Sequence, residues 1–247
     1  MIERLFFFHN PKAGGTSVAS ALSGLFPAER RCPRIENDAV EHATHRGRYG
    51  AYRGYDYYGG HYGRDIYETV GRGMACVTNF RWPVARVMSL YRYFRHVVEI
   101  TEAEAADPRF RSVVLAKTLT MDDYVTCDDP AVRIHTCDHH FRQLTGSGWS
   151  GTVEGELGQA MDLIDHMPWF FVAEHAYESM IWAESAFDGR LAAIDHLNET
   201  RAPEAARQLG RRAYQQLDGQ NQFDLVLYRY AVDRLLDVVS PSLRLKA

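Results

Sequence analysis

The residues best suited to chemistry stand close together near the start of the chain, in the stretch LFFFHNPKAGGTSVASAL that runs from Leu5 to Leu22. Lys12 offers a mobile positive charge, and Gly14 and Gly15 let the main chain approach a bound group closely. Thr16 and Ser17 add hydroxyl donors. A loop of small residues ahead of a helix also points several backbone N–H groups without intrahelical partners at one small volume. The chemistry expected of such a volume is the binding of an anion. A second cluster, Cys127, His135, Cys137, His139 and His140, has zinc-ligand residue types. Its spacing fits no standard closed site, and no metal is expected there.

The elements that must position the anion site follow from periodicity. Leu5 to His9 reads as a buried strand, and Val18, Ala21, Leu22 and Leu25 fall at i, i+3, i+4 and i+7, the stripe of a core-facing helix. Met74 to Phe80 (MACVTNF) predicts a second strand. Pro83 then opens a helix with apolar residues at Val84, Val87, Met88, Tyr91, Phe94 and Val98. Pro168 to Ala173 (PWFFVA) predicts a third strand, followed by a helix through Tyr177, Ile181 and Ala186. A long helix near the C-terminus carries Phe223, Val226, Leu227, Tyr230, Ala231, Leu235 and Val238 along one face. Strands alternating with helices favour parallel βαβ units. Residues 46–64, rich in Arg, Gly and Tyr, read as a functional loop region. The seven tyrosines from Tyr49 to Tyr67 either stack on an acceptor ring or pack that loop.

The anion-binding order separates this chain from the common nucleotide loop. In GxxxxGK[ST] the lysine directly precedes the hydroxyl residue, whereas Lys12 precedes both glycines. The order HNPKAGGTS instead resembles the 5′-phosphosulfate loop of sulfotransferases that use 3′-phosphoadenosine 5′-phosphosulfate (PAPS). It resembles in particular the branch with heparan sulfate 2-O-sulfotransferases and bacterial members, whose form is near HIPKTGGTS. The stretch FRWPVARVMSLYRYF is similar to that family's 3′-phosphate element, R-D-P-V-x-R-x-x-S-x-Y, and places Arg81 and Ser89 at its two phosphate-binding positions. The residue types suit the task, since a guanidinium forks onto phosphate oxygens and a hydroxyl two turns along the next helix approaches from the side. The segment YYGGHYGRDIY resembles the Gly-His element whose histidine serves as general base, here His61. Weaker similarity extends through HHFRQLTG, FFVAEHAYESM and NQFDLVLYRYA.

The resemblance implies a P-loop-like, three-layer α/β/α fold with a mainly parallel central sheet. It also implies sulfuryl transfer from PAPS to a hydroxyl of a carbohydrate or small-molecule acceptor, with adenosine 3′,5′-bisphosphate (PAP) as product and no metal required. His61 and Lys12 are the expected catalytic residues. Lys12, Ala13, Gly14, Gly15, Thr16, Ser17, Arg81 and Ser89 are the expected cofactor-binding residues. His61 would take the acceptor proton during in-line attack. Lys12 and the N–H groups of Gly14 to Ser17 would stabilise charge on the leaving oxygen. Three departures from the pattern bear on this: Asn10 for an apolar residue, Ala13 for a hydroxyl residue, and Trp82 for the acidic residue that would brace the Arg81 turn. Arg86 is expected to make a structural pair or to lie on the exposed face. Two rival functions are a nucleotide-dependent P-loop kinase and a non-catalytic relative that binds the bisphosphate.

Composition bounds the partners. With 247 residues, 46% hydrophobic and 24% charged, one domain spanning 1–247 is expected. A net charge of −4 argues against holding nucleic acid or an anionic membrane by bulk electrostatics, and favours a small or neutral acceptor over a polyanionic glycan. No apolar run approaches the roughly 20 residues of a membrane helix, and the run around Phe6 lacks the features of a signal peptide. Cys32, Cys76, Cys127 and Cys137 are scattered, with no Cys-x-x-Cys spacing, which suits a reduced, cytoplasmic protein.

Overall fold

The computed structural model describes residues 2–33, 49–146, 148–149, 155–192, 194 and 209–244. Strands β1 (Leu5–Phe8), β2 (Tyr57–Gly60), β3 (Ala75–Phe80) and β4 (Phe171–Val172) form one sheet in the order β2-β1-β3-β4. Every pairing is parallel, with Leu5 opposite both Tyr57 and Ala75, and Asn79 opposite Phe171. Helices flank this sheet in the three-layer α/β/α arrangement. The four consecutive apolar residues of β1 are buried on both faces, as befits the central strand of a parallel sheet.

β2 lies inside the stretch that sequence reads as loop, a correction to the 46–64 boundary; residues 46–48 lie outside the described residues. Its YYGG sequence conceals it, because glycine is depleted in strands. Here the glycines have a packing reason. A Cβ on Gly59 would stand 2.3 Å from the Tyr57 hydroxyl, and one on Gly60 2.4 Å from the Tyr62 ring. The tyrosines of this region pack the fold. Tyr49, Tyr57, Tyr58 and Tyr62 are buried in the core, and the hydroxyls of Tyr58 and Tyr67 donate to the carbonyls of Tyr52 (2.6 Å) and Met74 (3.1 Å).

α1 (Gly15–Ser23) follows β1, and α2 (Pro83–His96) follows β3 with Pro83 in its first turn. Beyond α2 comes a helical layer comprising α3 (Arg111–Thr118), α4 (Met121–Val125), α5 (Pro130–Thr136) and α6 (His139–Thr145). Val84, Val87 and Tyr91 of α2 build a second apolar cluster with Ala116, Tyr124, Val125 and Val132 of this layer. α7 (Leu157–Asp165) precedes β4, α8 (Ala176–Ala186) follows it, and α9 (Arg211–Gly219) leads into the long α10 (Gln222–Arg244). The buried stripe of α10 is rotated by about one residue from the expected one. Leu227, Tyr228, Ala231, Leu235 and Val239 face inward, while Phe223, Val226 and Val238 are exposed. No described helix is long and apolar enough to cross a membrane.

The starts of α6 and α10 cap each other. Asp138 Oδ1 accepts from the N–H of Asp224 at 2.9 Å. The Asp224 carboxylate in turn accepts from the N–H groups of Phe141 (2.7 Å) and His140 (3.2 Å). Each aspartate thus satisfies donors that the other helix cannot bond internally. Asn221 ties the pair to α5 by donating to the Thr136 carbonyl at 2.7 Å. His140 Nε2 meets Thr78 Oγ1 on β3 at 2.9 Å, which fastens α6 to the sheet behind the candidate site.

Candidate functional site

The turn between β1 and α1 is held in an unusual backbone shape. Lys12 has φ 66° and Gly14 φ 77°, both left-handed. For a lysine this conformation costs about 1 kcal/mol, so surrounding contacts must impose it. Asn79, at the C-terminal end of β3, imposes much of it. Its Oδ1 accepts from the Asn10 N–H at 2.8 Å, and its Nδ2 donates to the carbonyls of Asn10 and Ala13, both at 2.9 Å. Gln143 of α6 adds a second brace, donating to the carbonyls of His9 (3.2 Å) and Tyr62 (2.9 Å).

These braces settle where each residue of the turn faces. Ala13 is wholly buried, its carbonyl taken by Asn79, so it shapes the turn from within. Gly15 is also buried: a Cβ there would lie 2.1 Å from His9 Cδ2 and 2.9 Å from Asn79 Nδ2, so only glycine fits under the imidazole. Gly14 and Thr16 are exposed, and Lys12 and Ser17 are half-buried. Among the described residues no side chain caps α1, and its first turn holds no acidic residue, so the positive end of the helix dipole suits an anion.

Arg81 joins this turn directly. It stands just past the end of β3, beside β1, and its Nη1 donates to the Lys12 carbonyl at 3.1 Å. Burial, and then the charge of Arg81, lower the pKa of Lys12, whose Nζ lies 4.0 Å from the centre of the Tyr93 ring. Burial is also the main influence on Arg81 and lowers its pKa, with the charge of Glu174 opposing and that of Arg92 reinforcing. Glu174 answers the question raised by Trp82. It accepts from the Trp82 N–H at 3.0 Å and from the Tyr228 hydroxyl, while the Tyr228 ring packs edge-on against the indole at 5.4 Å. A carboxylate from β4's end therefore braces the turn that an acidic residue before Pro83 would otherwise brace. Ser89 is buried one turn before Tyr93 on the same face of α2.

His61 reaches the site from the end of β2. Its ring meets that of His9 edge-on at 4.6 Å, and His9 in turn lies flat on Phe7 at 5.3 Å. Burial, then the charges of His61 and Lys12, hold His9 well below the ordinary histidine range, so it is neutral at pH 7. Trp149 anchors the His61 backbone by donating from Nε1 to its carbonyl at 3.1 Å, with its ring against His135 and His139. The structure thus brings Lys12, Arg81 and His61 to one region, with His9 beside both Lys12 and His61. Asn79, Glu174, Gln143 and Trp149 support them and were not singled out as site residues. A polar residue at the end of a buried strand was the one signal for Asn79.

The remaining residues singled out in the sequence have these surroundings. Arg86 is 1% exposed, which removes the exposed-face alternative; it donates to the His135 carbonyl and lies within range of the Asp224 charge. Arg142 is likewise buried and donates to the carbonyls of Ile134, Cys137 and Gly148. Burial lowers His135 and His140 to about 3. Among the described residues no three His, Cys, Asp or Glu side chains converge as a metal site. A scan of protein-family models finds no match to this chain, and a search of curated proteins finds none either.

Proposed function

We propose that this chain is a sulfotransferase, moving a sulfuryl group from PAPS to a hydroxyl of a carbohydrate or small-molecule acceptor. The observation that carries the reading is the hydrogen bond from Arg81 to the Lys12 carbonyl. It joins the lysine turn to the Arg81 turn at the ends of adjacent parallel strands, so two turns with anion-binding residue types stand side by side. A nucleotide with an anionic group at each end suits such a pair of turns, and the N-terminus of α1 and the half-buried lysine fit its sulfate-bearing end.

When bound, PAPS supplies an activated sulfuryl group on a phosphate leaving group. The chain's residues provide the rest. His61 takes the proton of the acceptor hydroxyl as its oxygen bonds to sulfur, and the sulfur–oxygen bond to the phosphate breaks. Lys12 and the first-turn N–H groups of α1 stabilise the charge that appears on the departing phosphate oxygen. Arg81 and Ser89 hold the ribose phosphate. His9 stays neutral beside Lys12 and His61, so it adds no charge to oppose protonation of His61.

Thermal shift and transfer assays test this together. PAP at 100 times its dissociation constant should stabilise the fold by about 2.7 kcal/mol, and label from PAPS should appear on a hydroxyl acceptor. Preference for ATP with Mg²⁺ over PAP would refute the reading in favour of a kinase. Binding of PAP without transfer across a broad acceptor panel would favour the non-catalytic relative.

A further inference from the structure

α2 carries another cation whose charge acts on Arg81. Arg92 stands three residues after Ser89 and next to Tyr93, so Ser89, Arg92 and Tyr93 share a side of the helix. That side faces the lysine turn, because the Tyr93 ring lies under the Lys12 ammonium. Arg92 is close enough for its charge to act on Arg81, and its Nη2 is buried without a hydrogen-bond partner among the described residues. The neighbouring Arg95 contrasts with it: its guanidinium already donates to the Tyr91 hydroxyl and to the carbonyls of Ala116 and Leu119.

The local charges do not balance. Lys12, Arg81 and Arg92 are gathered here, and the carboxylate acting on Arg81 is that of Glu174, already bonded to the Trp82 N–H and the Tyr228 hydroxyl. Partly buried cations with an unsatisfied guanidinium N–H are costly unless a counter-charge with acceptor oxygens completes them. With Lys12 facing the sulfate-bearing end, Arg81 and Arg92 against Glu174 leave one net positive charge among the described residues, which the negative charge of a phosphate monoester would answer.

We propose that Arg92 is a specificity-determining residue that grips a terminal phosphate monoester together with Arg81 and Ser89. It would select an adenosine nucleotide phosphorylated on the ribose 3′ position over one phosphorylated only at the 5′ position. The proposal rests on the sulfotransferase reading of the same site and adds to it a residue that the motif does not contain.

Calorimetric titration of the full chain with PAP and with adenosine 5′-monophosphate (AMP) tests it, using wild type, Arg92→Gln and Arg92→Lys, with melting curves as the fold control. Arg92→Gln should weaken PAP by about 10- to 100-fold and leave AMP within about twofold, the loss expected for one charged hydrogen-bond donor. Arg92→Lys, which keeps the charge and loses the fork, should fall between; it carries the same comparison if Arg92→Gln does not fold. Unchanged PAP affinity, or equal losses for PAP and AMP, would overturn the role of Arg92 alone. A wild-type chain that does not prefer PAP to AMP would overturn the sulfotransferase reading as well.

Discussion

Asn79→Asp isolates the brace of the lysine turn with a change of one atom. Asn79 is wholly buried and makes three hydrogen bonds to the turn. An aspartate keeps the bond accepted from the Asn10 N–H. It converts the two donations, to the carbonyls of Asn10 and Ala13, into oxygen facing oxygen at about 2.9 Å. A buried polar group left unsatisfied costs about 1–3 kcal/mol, so two carbonyls give about 2–6 kcal/mol. That is a large share of the roughly 5–15 kcal/mol that holds a domain folded. Burial and the facing carbonyls would also raise the new carboxyl's pKa. Once protonated it can return one of the lost donations, so the penalty should be smaller at pH 5 than at pH 7.5. Urea denaturation of both proteins at both pH values gives the difference directly, and titration with PAP shows whether the turn still binds. A destabilisation below 0.5 kcal/mol, together with unchanged PAP affinity, would show that Asn79 does not hold the turn.

Gly15→Ala drives a methyl group into the His9 ring and should destabilise by about 1–3 kcal/mol. A double-mutant cycle with His9→Ala should recover part of that loss, and strict additivity would contradict the clash. His61→Ala should lower turnover by about 10²- to 10⁴-fold while PAP affinity stays within about twofold; steady-state kinetics with an identified acceptor would expose a normal rate. Acid should weaken the fold. His9, His135, His139 and His140 all titrate below their ordinary range in the folded state. Their contribution is complete above about pH 6.5 and is lost as pH falls toward the folded values, near 3 for His135 and His140. Asp138 is raised by burial and by the charge of Asp224, and Asp224 by burial, with the opposite sign: their cost is present above the ordinary carboxylate range and is relieved as pH falls. Four histidines outnumber two carboxylates, so below about pH 6.5 stability should fall by about 1.4 kcal/mol per unit for each unbalanced proton, leaving the fold weaker at pH 5 than at pH 7.5. Equal or greater stability at pH 5 would refute that balance.

The strands β1 and β3, the helices after them and the βαβ grammar were legible because each is a local periodic signal. β2 was not, because its tyrosines and glycines make sense only against rings packed across them. The face of α10 was legible only to within a residue, since its start is set by the reciprocal caps with α6 rather than by its own apolar spacing.

The candidate site divides along the same line. Lys12, Gly14, Thr16 and Ser17 are read from a few adjacent positions, because a loop before a helix creates its anion-binding volume locally. What holds that volume in shape comes from far along the chain: Asn79 lies 66 to 69 residues from the groups it bonds, Glu174 lies 92 from Trp82, and Gln143 lies 134 from His9. In sequence, none of these differs visibly from an ordinary polar residue of a strand end, loop or helix. Their roles appear only when the parallel sheet sets the ends of β1, β3 and β4 side by side. The same reasoning separates the arginines of α2. Arg81, just before the helix, and Arg86 stand out by their places in a motif, whereas Arg92 and Arg95 look alike along the helix. Packing then gives them different surroundings: Arg86 is enclosed behind the site, Arg95 is tied to carbonyls, and Arg92 is left with a buried donor beside Arg81.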